Sequence, residues 1–145
     1  MDPVLELVMA VKVANRELER RFARLLRPLG VTPVQAEALV ILAEDGPLSI
    51  AGLGARMAAD PGHPSRLADR LGAAGWIERR PSPHDGRQVE LALTPSGREL
   101  ADRIRAVRRP FVEGAEAALA EQGLDDALPT VRRLLEFVRS LPEVP

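Results

Sequence analysis

Between Asp60 and Thr94 the chain concentrates the side chains that could do chemistry, and the chemistry they suit is recognition of a polyanion. Placed at about 100° per residue on a helix, Gly62, Ser65, Arg66 and Asp69 gather on one side, with His63 and Arg70 flanking them. Pro64, Leu67, Ala68 and Leu71 gather on the other. The first side offers two arginines among small residues that permit close approach. Arginine is shaped to bond guanine bidentately or to hold phosphate, and an α-helix fits the major groove of B-DNA. A plain solvated helix face would show the same pattern.

The segment that follows adds a second basic surface. Val89, Leu91 and Leu93 alternate with Glu90 and Ala92, the period of a half-buried strand. Ile77 to Arg80 can pair with it across a turn containing Pro81, Pro83 and Gly86. Arg79, Arg80, His84 and Arg87 gather positive or titratable charge there, and Asp85 stands where a charge-assisted bond could hold the Arg87 guanidinium in a fixed direction. An arginine extended from such a ribbon can enter a narrow A·T minor groove. The competing reading is an exposed hairpin carrying a surface ion pair of little worth.

Three runs carry a resemblance: Gly75-Trp76-Ile77-Glu78-Arg79, then Pro81-Ser82-Pro83-His84-Asp85-Gly86-Arg87, then Leu91-Ala92-Leu93-Thr94-Pro95-Ser96-Gly97. Their order and spacing resemble the winged-helix core of the MarR family of bacterial transcription regulators, over most of the chain from Leu5 to Leu141. The resemblance implies that Arg87 is the minor-groove wing arginine, Asp85 its orienting partner, and Pro61 to Arg70 the carrier of the recognition helix. Pro64 departs from the β-branched or aliphatic residue usual in the family. Because proline suits only a first helical turn, the recognition helix is expected to start with Asp60 as N-cap.

The remaining elements must position those surfaces. Leu5 to Leu26 reads as a long helix with a stripe at Leu7, Val8, Val11 and Ala14 and an exposed pair between Glu17 and Arg21. Thr32-Pro33-Val34-Gln35 is a capping box opening a helix that Asp45-Gly46-Pro47 ends. Ser49 caps a short helix to about Ala58 whose core face is Ile50, Leu53 and Met57, and Ser49 is the expected phosphate contact at its start. Trp76 is read as a core residue. Thr94-Pro95 opens a long helix towards Gly123, with a kink expected at Pro110. A last helix from Asp126 to Leu141 shows Val131, Leu134, Leu135 and Val138 at i, i+3, i+4, i+7. By the resemblance Leu5, Val8, Val11, Leu134, Leu135 and Val138 are candidate dimer-interface residues, although packing within one subunit could also consume these stripes. In the family resembled, the first and last helices of two subunits interlace.

Composition narrows the alternatives. A chain of 145 residues with 46% hydrophobic content can bury one core. The absence of cysteine excludes disulfides and thiol sensing and suits a reducing compartment. No leader and no run of about eighteen apolar residues is found, so a cytoplasmic protein without membrane contact is expected. The net charge of −1 is uninformative, but the bases cluster near the reading elements and again at Arg103, Arg105, Arg108 and Arg109. His63 and His84 lack spaced ligand partners, no phosphate loop or nucleophile elbow occurs, and neither metal, cofactor nor enzymatic activity is expected.

The expectation is a mainly α protein with a small β-hairpin wing, a winged helix-turn-helix core and N- and C-terminal dimerisation helices. It forms a single domain over 1–145, with the DNA-binding part at about 32–109 and the dimerisation helices at about 5–30 and 110–145. Function is then that of a homodimeric regulator, a repressor first, on a pseudo-palindromic double-stranded operator. With 3% aromatics, a small-molecule effector would be aliphatic or amphipathic, or absent. The rivals are a winged-helix protein-interaction module and a dimer that binds DNA without effector control.

Overall fold

The computed structural model describes residues 2–143, and its order is helical with one small sheet. Helix α1 spans Pro3–Leu26 and passes through a 3-10 turn at Arg27–Leu29 into Gly30, whose φ of +71° reverses the chain. Helix α2, Pro33–Asp45, begins with the expected reciprocal cap: the Thr32 hydroxyl accepts from the Gln35 amide at 3.2 Å, and the Gln35 side chain accepts from the Thr32 amide at 3.0 Å. Ala36, Ala38, Leu39 and Leu42 bury several sides of α2, so it is the central helix of the core.

After α2 the chain forms β1 (Leu48–Ser49), α3 (Ile50–Arg56), α4 (Pro64–Ala73), β2 (Ile77–Pro81) and β3 (Val89–Leu93). The sheet is antiparallel with order β1-β3-β2, pairing Leu48 with Leu91 and Ile77 with Leu93. The expected two-stranded ribbon is thus a three-stranded sheet. Two residues are too few for an alternating pattern to reveal β1. Central placement of β3 also overrides its expected alternation: Leu91, Ala92 and Leu93 are all buried, while Val89, out at the wing, is exposed.

The core gathers Leu26, Leu39, Leu53, Leu71, Leu91 and Ile104 from both helices and strands, with Ile50, Met57 and Trp76 packed at its edge. Truncating a fully buried member such as Leu71 to alanine would cost about 2–5 kcal/mol. Helix α5, Pro95–Glu121, contains Pro110 in its interior, and α6 spans Ala127–Ser140. By contacts the chain divides into two compact units, one running to Arg108 and one from Arg109. Leu134 is half-buried in α6, whereas its other stripe residues, Val131, Leu135 and Val138, are exposed.

Three local expectations are corrected. The recognition helix does not start at Asp60: His63 is the N-cap residue and Pro64 the first helical residue of α4. Asp60 instead accepts the Gly62 amide at 2.9 Å, and Gly62 has φ +64°, so residues 60–62 form a turn that a helix cannot include. Helix α3 ends at Arg56 rather than about Ala58, and Glu17 pairs with Arg20 at 3.0 Å rather than with Arg21.

Candidate nucleic-acid interface

Helix α4 buries Leu67, Ala68 and Leu71 and leaves Ser65, Arg66, Asp69 and Arg70 exposed, which is the division its spacing predicts. Nothing caps its first turn from a side chain, so the helix N-terminus opens outward at His63. Gly62, His63, Arg66 and Arg70 line an open cleft of about 450 Å³ together with Asp60 and, from the start of α2, Thr32 and Gln35. Asp69 is not idle: its carboxylate accepts from Arg79 of β2 at 2.7 Å, with both side chains at least half exposed. Arg79 is thereby directed back to α4, and the neighbouring Arg80 pairs with Glu78. Among the described residues no ion pair engages Arg66, Arg70 or Arg87, which leaves these three as the available cations of the surface.

The tip of the wing is internally bonded. The Ser82 amide donates to the Gln88 carbonyl at 2.8 Å, extending the ladder by a step, and the Gln88 amide donates to the Asp85 carbonyl at 2.9 Å. Ser82 is buried, and its hydroxyl accepts from the His84 amide at 3.3 Å. Asp85 does something other than expected. Its carboxylate accepts the backbone amide of Arg87 at 3.0 Å, and no bond to the Arg87 guanidinium is formed. Asp85 therefore shapes the turn that carries Arg87 and leaves its head free, a local side-chain-to-backbone closure that a carboxylate two residues earlier readily makes.

A latch joins the wing to the rest of the first unit. The Thr94 hydroxyl donates to the Gly75 carbonyl at 2.6 Å and accepts the Gly97 amide at 3.1 Å, while the Thr94 amide donates to the Trp76 carbonyl at 3.0 Å. A Cβ on Gly97 would lie 1.9 Å from that Trp76 oxygen, so only glycine fits. The Thr-x-x-Gly spacing was readable as a helix start, but its second role as a latch depends on where β2 passes. Ser49 closes the other edge: it ends β1 and caps α3, its hydroxyl accepting the Gly52 amide at 3.0 Å. Its proton is left to donate.

Two charged groups have partners of which the sequence carries no sign. Glu37 of α2 accepts the amides of Ala58 and Ala59, the latter at 3.1 Å. Arg108 stacks 5.7 Å from the Phe22 ring centroid, with a buried Nε that has no hydrogen-bond partner. Burial lowers the Arg108 pKa from its ordinary value, and the charges of Glu37 and Glu44 oppose that shift. Among the described residues no cluster of three His, Cys, Asp or Glu gathers to hold a metal, and no single helix is long and apolar enough to cross a membrane.

Leu5, Val8 and Val11 of α1 and Leu135 and Val138 of α6 are between 43% and 53% exposed, so one chain leaves these faces uncovered.

Residues 31–89 match the sequence model of the MarR family. The multiple antibiotic resistance protein MarR of Salmonella typhimurium is 31% identical over 102 residues, 70% of this chain and 71% of that protein. An uncharacterised HTH-type transcriptional regulator of Mycobacterium leprae is 32% identical over 107 residues, 74% and 72% of the two chains. Among solved structures, a mutant MarR from Escherichia coli complexed with operator DNA superposes with a TM-score of 0.75 at 26% identity, covering 96% of each chain. A probable transcriptional regulator from Pseudomonas aeruginosa gives 0.69 at 31% identity, covering 86% of this chain and 96% of the other.

Proposed function

From the premise that this chain belongs to the MarR family of DNA-binding transcription regulators, we propose that it is a homodimeric repressor whose two subunits each read one half of a pseudo-palindromic operator. The observation that carries the reading is the pairing of free cations on two surfaces of one unit, Arg66 and Arg70 on α4 and Arg87 on the wing. Helix α4 enters the major groove with Arg66, Ser65 and Arg70 towards bases and phosphates, and His63 and Gly62 at its open start. Arg87 enters the flanking minor groove, with His84 beside it. Ser49 donates its hydroxyl proton to phosphate at the start of the short α3. Asp69 and Asp85 act by directing Arg79 and the wing turn.

In this reading residues 32–109 form the DNA-binding part and about 5–30 and 110–145 the dimerisation helices of one domain. The exposed stripes of Leu5, Val8 and Val11 and of Leu134, Leu135 and Val138 are covered by the second subunit. An operator complex is known for the similar Escherichia coli MarR mutant, which supports DNA as the partner here. We place the protein in the cytoplasm, where that DNA lies, and assign it no catalytic role and no cofactor. An effector, where one acts, is a small aliphatic or amphipathic molecule, since aromatics are only 3% of the chain.

The test is binding to the DNA upstream of its own gene across a salt series. Several arginine–phosphate contacts release counterions, so affinity should fall steeply as salt rises. A log–log slope near zero would favour the interaction-module rival, which has no use for cations on both surfaces.

A further inference from the structure

The loop between α3 and α4 decides where the recognition helix points, and it is held from outside itself. Glu37, on α2 and more than twenty positions earlier, receives the Ala58 and Ala59 amides on its two carboxylate oxygens, Oε1 and Oε2 respectively. Beyond that clamp the chain has little freedom. Asp60 accepts the Gly62 amide, Gly62 takes the left-handed conformation, and Pro61 and Pro64 each have φ fixed by their rings. A direction imposed at Ala59 is therefore carried to the first turn of α4.

We propose that Glu37 is the positioning residue of the DNA interface: its carboxylate clamps the Ala58-Ala59 turn and so aims α4, without itself touching DNA. This rests on the DNA-binding reading above. The sign of the expected effect separates it from simple electrostatics. Neutralising an acidic side chain near a polyanion relieves repulsion and should tighten binding, whereas a lost clamp should loosen it.

The experiment uses the full-length protein, with Glu37→Gln and Glu37→Ala, and two probes: a duplex selected by the parent from random sequence, and an unselected duplex of equal length. Glutamine keeps the side-chain length and one acceptor oxygen but turns an NH2 group towards an amide that needs an acceptor, so it carries the test even where alanine fails to fold. We expect affinity of both variants for the selected duplex to fall about tenfold, affinity for the unselected duplex to stay level or rise, and hydrogen exchange at Ala58 and Ala59 to accelerate in the absence of DNA. A merely structural role would lower both affinities together with the melting temperature, and that result overturns the proposal. So does selected-duplex binding by Glu37→Gln that equals or exceeds the parent, or unchanged exchange at the two amides. Arg66→Ala in parallel guards the premise: selected-duplex binding equal to the parent there refutes the DNA interface itself, while a loss there with none at Glu37→Gln refutes only the clamp.

Discussion

The wing offers a sharp test because the structure gives Asp85 and Arg87 different tasks. Arg87 has its guanidinium free, so in the proposed DNA complex its replacement removes a contact and nothing else: Arg87→Ala should cost about 1–3 kcal/mol per subunit. A dimer on two half-sites doubles that to about 2–6 kcal/mol, so even the lower bound is about a thirtyfold loss of affinity. Asp85 contributes one exposed bond to the Arg87 amide at 3.0 Å, worth about 1 kcal/mol or a fivefold change per wing. Alanine removes that bond. Asparagine keeps an oxygen at the same place and also removes a negative charge facing DNA. The order of affinity should therefore be parent and Asp85→Asn together, then Asp85→Ala, then Arg87→Ala, read by fluorescence anisotropy on one selected duplex at one salt concentration. Dimerisation should be unaffected in all three. An Asp85→Asn protein as weak as Asp85→Ala would show that the carboxylate charge, not its acceptor, is what the wing needs. Parent-like binding by Arg87→Ala would remove the wing from the interface.

Three further outcomes are expected. Gly97→Ala places a methyl group that would lie 1.9 Å from the Trp76 carbonyl oxygen; it should destabilise by about 3 kcal/mol and lower the melting temperature by about 10 °C in a calorimetric scan. Asp69→Ala releases Arg79 and deletes a charge from the groove face, so DNA binding should tighten about threefold while stability changes by less than about 0.5 kcal/mol, checked by titration and urea unfolding. Val131→Asp combined with Leu135→Asp places two charges on the uncovered stripe of α6 and should give a single-chain mass by light scattering at micromolar concentration, whereas an intact dimer would place the interface elsewhere.

Long periodic signals and local caps were legible from residues alone. The Thr32 and Gln35 box, the Ser49 cap, the buried side of α4 and the α6 stripe are set by contacts within a few positions, which spacing reports directly. What required the folded chain depends on distant partners. Strand β1 is visible only once β3 lies beside it, and Glu37 looks like any polar position of a helix until the α3–α4 loop arrives against it. Both Asp60 and His63 precede a proline by one position, so spacing alone allows either as the start of α4, and only the backbone of Gly62 decides between them. Asp85 is ambiguous for a related reason: a reach of two residues suits a backbone amide as well as a side chain.

The latch at Thr94 and the strand β1 also set a tolerance on spacing. Because β3 is bonded on both edges, and its exit is tied to Gly75 and Trp76, the wing and α4 form a caliper with fixed jaws rather than two independent arms. In the proposed DNA complex, one base pair inserted between the sequence under α4 and the flank under Arg87 moves that flank by about 3.4 Å and turns it by about 35°. A hinged wing could follow such a shift, but this one must release one contact to keep the other. Half-sites should therefore be uniform in length even where their base sequence varies.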